Sequence, residues 1–278
     1  MVLSLVDKYF FTIPIIYRAL ISLGVILIIA LLAYKLKQLT ISGAFAATIM
    51  GFTTLFLSGT SALMLYLFFF ISAAFISKSS KRVRGVEKIH KKGATRDYKQ
   101  VLANGLLPLI SIVLYRITTN GVFLLTFSAT LAEACADTWG GDIGILSKEP
   151  PVSILTFTRV ERGLSGGISM LGCSSSLLAC ILYGIFYYST FNSTLSGALL
   201  VAAAGFSGCL IDSILGASIQ VHYIDEETGK LTEKEKDEKG NKRRAVRGIK
   251  YFDNDMVNFT SGVFSFLLSL SLGLFLHI

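Results

Sequence analysis

Long apolar stretches separated by short polar segments dominate the chain from residue 13 to residue 277. Each stretch is close to or above the roughly 20 residues that an α-helix needs to cross a hydrocarbon layer of about 30 Å. Membrane β-strands instead alternate apolar and polar residues over about ten positions. The pattern therefore predicts an all-α polytopic membrane protein with eight spans, at residues 13–34, 39–57, 60–77, 101–117, 121–141, 164–190, 194–220 and 257–277.

The basic residues lie mainly in four alternate loops between these spans. Segments 78–100 and 221–255 carry nine Lys and Arg residues each, and the four loops together hold 23 of the 26. The positive-inside rule places such loops in the cytoplasm. We therefore expect a single transmembrane domain over residues 1–278, with both termini on the non-cytoplasmic side. Residues 78–100 would form a cytoplasmic basic amphipathic segment, and residues 221–255 a cytoplasmic charged loop. This loop would be mobile and polar over 224–250, or a solvated hairpin over 224–242.

Composition agrees with a membrane protein and excludes other classes. The chain is 53% hydrophobic and 16% charged, with a mean hydropathy of +0.64, whereas soluble domains carry about 25% charged residues. A soluble enzyme, a disordered chain and a disulfide scaffold are excluded. The net charge of +8 is explained by topology and by the anionic leaflet, so we expect a lipid bilayer and no nucleic acid as partner.

Acidic residues inside the predicted spans are the first candidates for function, because an ionisable side chain is costly there. Glu133 and Asp137 lie four residues apart on one face of span five, and Asp142 follows at the boundary. At about 1.5 Å per residue, Asp137 lies ~24 Å into span five and Asp212 ~27 Å into span seven. Both depths correspond to the cytoplasmic end of a span.

Two further polar groups are predicted at the same end. If residues 90–105 are helical, Lys92, Arg96, Gln100 and Asn104 form one stripe leading into span four. The glycine-rich segment 159–169 opens span six, and backbone N–H groups at a helix start bind anions. Its candidate residues are Arg159, Arg162, Gly166, Gly167 and Ser169.

These residue types favour one kind of chemistry. Carboxylate and carboxamide oxygens suit Mg²⁺, which commonly bridges substrate phosphates, and Lys and Arg suit phosphate oxygens. We therefore expect a polyphosphate with a divalent cation to meet a molecule dissolved in the membrane. The candidate metal ligands are Asp137, Asp212, Asp255, Asn258 and Asp142. The chain contains no P-loop motif.

Five blocks of sequence resemble a known integral-membrane family, that of the phytyl-phosphate kinases and their bacterial and archaeal relatives. The blocks are KKGATRDYKQVLANG (91–105), ADTWGGDIG (136–144), GLSGGIS (163–169), GFSGCLIDSILGASIQ (205–220) and FDNDMVN (252–258). The resemblance runs from about residue 20 to the C-terminus. It implies a kinase that uses CTP or another nucleoside triphosphate to convert an isoprenoid (phytyl or prenyl) monophosphate into the diphosphate. The sequence RVER before the third block departs from the family pattern, as does the 224–250 loop.

The resemblance also implies roles for single residues. Asp137 and Asp212, with Arg96 and Lys92, are the expected catalytic residues. Mg²⁺ is the expected cofactor. The substrate- and nucleotide-binding residues that the resemblance implies are Gln100, Asn104, Thr138, Gly166, Gly167, Ser169, Ser213, Gln220 and Asn254. Arg159 and Arg162 lie in the departing segment RVER and are expected to bind substrate because of their charge.

Two other functions remain open at this point. A kinase acting on the free prenyl alcohol would need one carboxylate as a general base, because the hydroxyl does not ionise near neutral pH. An ion-coupled transporter would place its acids near the bilayer midplane, usually within inverted repeats. The sequence does not indicate an oligomeric state.

Overall fold

A computed structural model describes residues 5–80, 95–191, 193–226, 228–237 and 240–278. Within these residues the chain is mostly helical. The helices are α1 (Leu5–Thr12), α2 (Ile15–Lys35), α3 (Ile41–Ser80), α4 (Tyr98–Thr118), α5 (Val122–Gly144), α6 (Met170–Thr190), α7 (Leu195–Ser218) and α8 (Asn254–Phe275). The strands are β1 (Val152–Ser153), β2 (Gly167–Ile168), β3 (His222–Ile224), β4 (Leu231–Thr232) and β5 (Ala245–Arg247).

Six of the described helices are long and apolar enough to cross a membrane, namely α2, α3, α4, α6, α7 and α8. Helix α5 is less apolar because it carries three acids, yet it is the central helix of the bundle. It packs against α3, α4, α6, α7 and α8, and every residue from 124 to 136 is buried. The predicted class, an all-α polytopic membrane protein, is confirmed. The number of crossings and the side of the termini stay predictions.

Helix α3 consists of two legs that fold back on each other at Gly59, where φ is 81° and ψ is −169°. A straight helix of 40 residues would be about 60 Å long. Instead, both of its ends lie near Arg96. The N–H of Thr40 donates to the Arg96 carbonyl oxygen at 3.0 Å, and Ser80 lines the same cavity as Arg96. The break at Gly59 falls between the predicted spans 39–57 and 60–77.

The second leg of α3 is capped by a carboxylate from α1. Asp7 is 1% exposed, and its Oδ1 accepts hydrogen bonds from the Thr60 N–H at 2.6 Å and the Thr60 hydroxyl at 2.7 Å. Its other oxygen accepts from the Ser61 N–H and hydroxyl. This anion offsets the unpaired N–H groups and positive dipole at the start of the leg.

We expect Asp7→Ala to destabilise the protein, because it removes the cap and leaves these buried donors without their acceptor. Loss of a cap costs about 0.5–2 kcal/mol, so the thermal midpoint in detergent should fall. The matched control is Lys8→Ala, since Lys8 is the exposed neighbour in the same helix. Equal midpoints for the two variants would show that the cap contributes no stability.

Small residues bring α5 close to α6 and α7. A Cβ atom at Gly205 would lie 2.7 Å from the Ala132 Cβ, and one at Gly172 would lie 2.9 Å from the Gly140 carbonyl oxygen. Such close crossings are common where membrane helices associate. The crossing with α7 places Asp137 on α5 beside Asp212 on α7.

Two predicted helix starts are wrong. Helix α6 begins at Met170 and not at 164, because Gly166 has φ 81° and Ser169 caps the helix by accepting from the Gly172 N–H at 3.1 Å. The helix considered over 90–105 does not include residues 95–97, because α4 begins at Tyr98, where Asp97 and Gln100 form a capping box. Arg96 is therefore not on a helix face shared with Gln100 and Asn104. Residues 81–94, most of the predicted basic segment 78–100, lie outside the described residues.

The predicted charged loop at 221–255 contains a small antiparallel sheet in the order β4-β3-β5. Pairing joins Tyr223 to Thr232 in β4 and to Ala245 in β5. The ends of β3 and β5 are also joined by Arg243, whose guanidinium donates to Asp225 at 2.8 Å. The prediction of a mobile polar loop over 224–250 did not include this sheet, because its strands are only two or three residues long. The alternative, a solvated hairpin over 224–242, agrees with the antiparallel pairing of β3 with β4.

Candidate functional site

A polar cavity of about 740 Å³ lies at one end of the helix bundle. Its walls come from the C-terminal ends of α3, α5 and α7 and the N-terminal ends of α4, α6 and α8. The predicted site residues that line it are Arg96, Gln100, Asn104, Asp137, Thr138, Asp142, Arg162, Gly166, Gly167, Ser169, Asp212, Ser213, Asn254, Asp255 and Asn258. Arg159 is exposed in the loop between β1 and β2, Gln220 is buried behind the wall, and Lys92 lies outside the described residues.

Three carboxyl groups cluster at the inner end of this cavity: Asp137 and Asp212 line it, and Glu133 is buried behind them. The Ser261 hydroxyl lies 2.7 Å from Glu133 Oε1 and 3.2 Å from Asp212 Oδ2. It has a single hydrogen, so it donates to one of them at a time. The carboxyl groups of Asp212 and Asp137 also contact each other. Acids this close repel strongly at low dielectric when ionised, so the cluster favours a bound cation or a shared proton.

Carboxamides complete the surroundings of Asp212. When the Asn258 carboxamide is oriented with its nitrogen toward these acceptors, the nitrogen donates to Asp212 Oδ2 at 3.2 Å and to the Asn254 carbonyl oxygen at 2.9 Å. The Asn104 carboxamide lies against that of Asn258. Asp255 is buried in the first turn of α8, next to the N-cap residue Asp253. The surroundings of Asp212 thus offer several oxygen atoms.

The donor set fits Mg²⁺ held through few protein ligands. In the described part of the chain, no group of three or more His, Cys, Asp and Glu side chains has the geometry of a metal site. Mg²⁺ keeps several waters and is usually held by one or two carboxylates together with substrate phosphates. Asp137 and Asp212 could supply those carboxylates, with the remaining positions left for water and phosphate oxygens.

Asp142 belongs to a second cluster, on a different side of α5 from Asp137. It accepts a hydrogen bond from the Ser77 hydroxyl and acts electrostatically on Arg96. Burial lowers the pKa of Arg96, and the Asp142 carboxylate opposes that shift. The guanidinium lies over the Phe70 ring at 5.6 Å, and its buried Nη1 has no hydrogen-bond partner among the described residues. Arg96 therefore has a donor left for an anion in the cavity.

The glycine-rich segment 163–169 forms the opposite wall. Gly166 packs against Ala217 so closely that any side chain there would collide with the α7 backbone. The Gly167 N–H donates to the Leu164 carbonyl at 3.0 Å, and the Gly172 N–H donates to the Ser169 hydroxyl oxygen. Part of the expected set of phosphate-binding N–H groups is therefore engaged within the loop itself.

Sequence reasoning missed residues that the sheet brings to the cavity. Glu233, directly after β4, is 5% exposed and lines the cavity together with Lys234. Its Oε1 accepts from Gln220 Nε2 at 3.0 Å and from the Ser165 hydroxyl. Gln220 thus holds Glu233 in place without reaching the cavity. Glu233 is one acid of a charged segment, and no sequence signal separates it from its neighbours.

Fold and site together define a polytopic membrane protein with an acid-lined polar cavity at one end of its helices. The chain belongs to the integral membrane protein family DUF92, whose model matches residues 24–266. The resemblance drawn from the five sequence blocks is thereby confirmed at the level of the family.

Two relatives are similar over most of the chain. An uncharacterized membrane protein of Methanocaldococcus jannaschii is 34% identical over 200 residues, covering 72% of this chain and 82% of that protein. Protein PGR of Arabidopsis thaliana is 30% identical over 282 aligned positions, covering 92% of this chain and 96% of that protein. No solved structure matches.

Proposed function

We propose that this protein is a membrane-embedded kinase that transfers the terminal phosphate of CTP, or of another nucleoside triphosphate, to an isoprenoid monophosphate. The observation that carries the proposal is the meeting of Asp137, Asp212 and Arg96 in one cavity at the ends of the helices. The carboxylates suit a cation and the guanidinium suits a phosphate. The positive-inside rule supports a cavity open to the cytoplasm, where the nucleotide is.

The acceptor makes this reaction independent of a strong general base. A phosphate monoester is already largely dianionic at neutral pH, because its second pKa is near ~6. One of its oxygens attacks the terminal phosphorus of the nucleotide, and the bond from that phosphorus to the bridging oxygen breaks. The products are the isoprenoid diphosphate and the nucleoside diphosphate. What catalysis requires is positioning of two mutually repelling anions and neutralisation of their charge.

The residues of the cavity divide this work. A Mg²⁺ bound at Asp137 and Asp212 would supply positive charge to the phosphate oxygens. Arg96 binds the acceptor phosphate through its unused donor. Asn258 orients the Asp212 carboxylate, and Asn104 contacts Asn258. The loop containing Gly166 and Ser169 forms the opposite wall of the cavity, where it would bind the nucleotide.

We expect Arg96→Gln to lower kcat/KM for the lipid acceptor about 10–100-fold, because a hydrogen bond to a charged group contributes about 1.5–3 kcal/mol. The backbone bonds of Arg96 to Gln38 and Thr40 are kept in this variant, so folding should be maintained. Arg96→Lys should recover part of the loss, since it restores the charge without the planar fork. Steady-state kinetics with each substrate varied in turn measures the effect. An unchanged kcat/KM for the acceptor would exclude this role for Arg96.

A substrate panel tests the proposed function. The purified protein is incubated with Mg²⁺ and with CTP, UTP, GTP or ATP labelled in the terminal phosphate. The acceptor is phytyl, farnesyl or geranylgeranyl monophosphate, or the matching free alcohol. We expect label in the diphosphates of at least one monophosphate. Label found only in monophosphates formed from the free alcohols would establish the alternative function, a kinase acting on the prenyl alcohol. Solute uptake by proteoliposomes without nucleotide turnover would establish a transporter.

A further inference from the structure

An apolar groove runs beside the polar cavity, between α2, both legs of α3 and the start of α4. It encloses a cavity of about 120 Å³. Its walls include Ile26, Ala33, Ala47, Met50, Leu67 and Phe70. Ala33 and Ala47 are small, so a slender chain could enter beside them.

The groove and the polar cavity share part of their lining. Arg96, Gln100 and Asn104 line both. The buried Nη1 of Arg96, which has no hydrogen-bond partner in the described part of the chain, therefore stands where an apolar surface meets a polar one. This junction is complementary to a molecule with an anionic head and an apolar tail, since the head would face Arg96 and the tail the groove.

The packing of the helices leaves this groove on the membrane-facing side of the bundle. Helix α2 packs on α3, whereas α4 packs on α3, α5 and α8. The outer face of α2 carries exposed leucines such as Leu27 and Leu31, which is typical of a lipid-facing helix. The groove therefore lies between a peripheral helix and the central bundle, where a lipid tail could enter sideways from the bilayer.

We propose that this groove binds the first part of the isoprenoid tail of the acceptor, with its monophosphate held at Arg96 and the rest of the tail leaving between α2 and α4. The inference rests on the proposed function and assigns the acceptor to one side of the site. The nucleotide then occupies the part of the cavity between Asp212 and the loop at Gly166.

Photo-crosslinking tests this assignment without requiring turnover. The probe is farnesyl monophosphate with a diazirine in its second isoprene unit, applied to the full-length protein in bilayer nanodiscs. We expect crosslinked peptides from segments 26–33, 47–51 and 63–70, and protection by excess unlabelled farnesyl monophosphate. Crosslinks confined to other helices, or crosslinks in the groove that excess ligand does not reduce, would overturn the proposal.

A bulky substitution in the groove provides a second test. Ala47→Phe should raise the KM for the lipid acceptor at least about tenfold and leave the KM for the nucleotide unchanged, because the added ring occupies only the tail's position. The matched control is Ala203→Phe, since Ala203 is exposed on α7 away from the groove. Equal acceptor KM values in the two variants would contradict the assignment. If Ala47→Phe does not fold, the smaller Ala47→Leu takes its place.

The two experiments separate this inference from the proposed function. Protectable crosslinks in the groove without phosphoryl transfer would retain the lipid phosphate site and reject the kinase. Phosphoryl transfer together with crosslinks outside the groove would support the kinase function and would exclude the groove as the binding site of the isoprenoid tail.

Discussion

Replacing Asp137 or Asp212 by Asn is expected to lower phosphoryl transfer on the order of 10²–10³-fold, the effect typical of losing one preorganised electrostatic contact to the reacting groups. The substitution keeps the shape of the side chain and removes its charge. Because the two carboxyl groups contact each other and lie near Glu133, neutralising one relieves repulsion in the folded protein. The loss should therefore appear in the rate and not in the yield of folded protein.

Initial rates with labelled nucleotide, measured on purified variants with matched thermal midpoints, check this result. The control is Glu149→Gln, because Glu149 is an exposed acid outside the cavity lining. It should retain the wild-type rate. Wild-type rates in both Asp137→Asn and Asp212→Asn would show that the reaction does not take place in this cavity.

Removal of divalent cations is expected to abolish transfer, and added Mg²⁺ to restore it. Without a cation, no positive charge would separate the phosphates of the two substrates from each other and from the carboxyl groups of Asp137 and Asp212, and repulsion would oppose binding. The donor set offers two carboxylates and neighbouring carboxamides, which matches the oxygen preference of Mg²⁺. The measurement is the rate as a function of Mg²⁺ concentration after treatment with a chelator.

The variants make this second prediction specific to the site. Asp212→Asn should require a higher Mg²⁺ concentration for half-maximal rate than the wild type, while Glu149→Gln should follow the wild-type curve. Full activity in excess chelator would contradict a metal role. An unchanged Mg²⁺ dependence in Asp212→Asn would place the cation elsewhere.

Much of this architecture follows from local properties of the chain. The predicted spans 39–57 and 60–77 meet at Gly59, where the two legs of α3 fold back. The depth of Asp137 and Asp212, derived from helical rise alone, agrees with their common cavity. The break between the two spans and the depth of the two acids depend only on the length of an apolar stretch and the position of a residue within it, and both can be read from a single sequence.

Other features depend on residues distant along the chain. Asp7 caps a helix 53 residues later, and Glu233 meets Ser165 across 68 residues. Arg96 lies in extended structure and not on the predicted helix, because its backbone pairs with that of Leu39. Such contacts form only when the whole bundle assembles, and the pattern of polar and apolar positions carries no signal for them.

The most direct test of the account is the product balance of the purified protein supplied with Mg²⁺, CTP and farnesyl or phytyl monophosphate. Mass spectrometry should find one isoprenoid diphosphate for each CDP released by the wild type, and both products lowered on the order of 10²–10³-fold with Asp137→Asn or Asp212→Asn. The same experiment repeated with ATP, GTP and UTP covers the other donors. CDP released without any isoprenoid diphosphate, or no nucleotide turnover with any combination of donor and acceptor, would contradict the account.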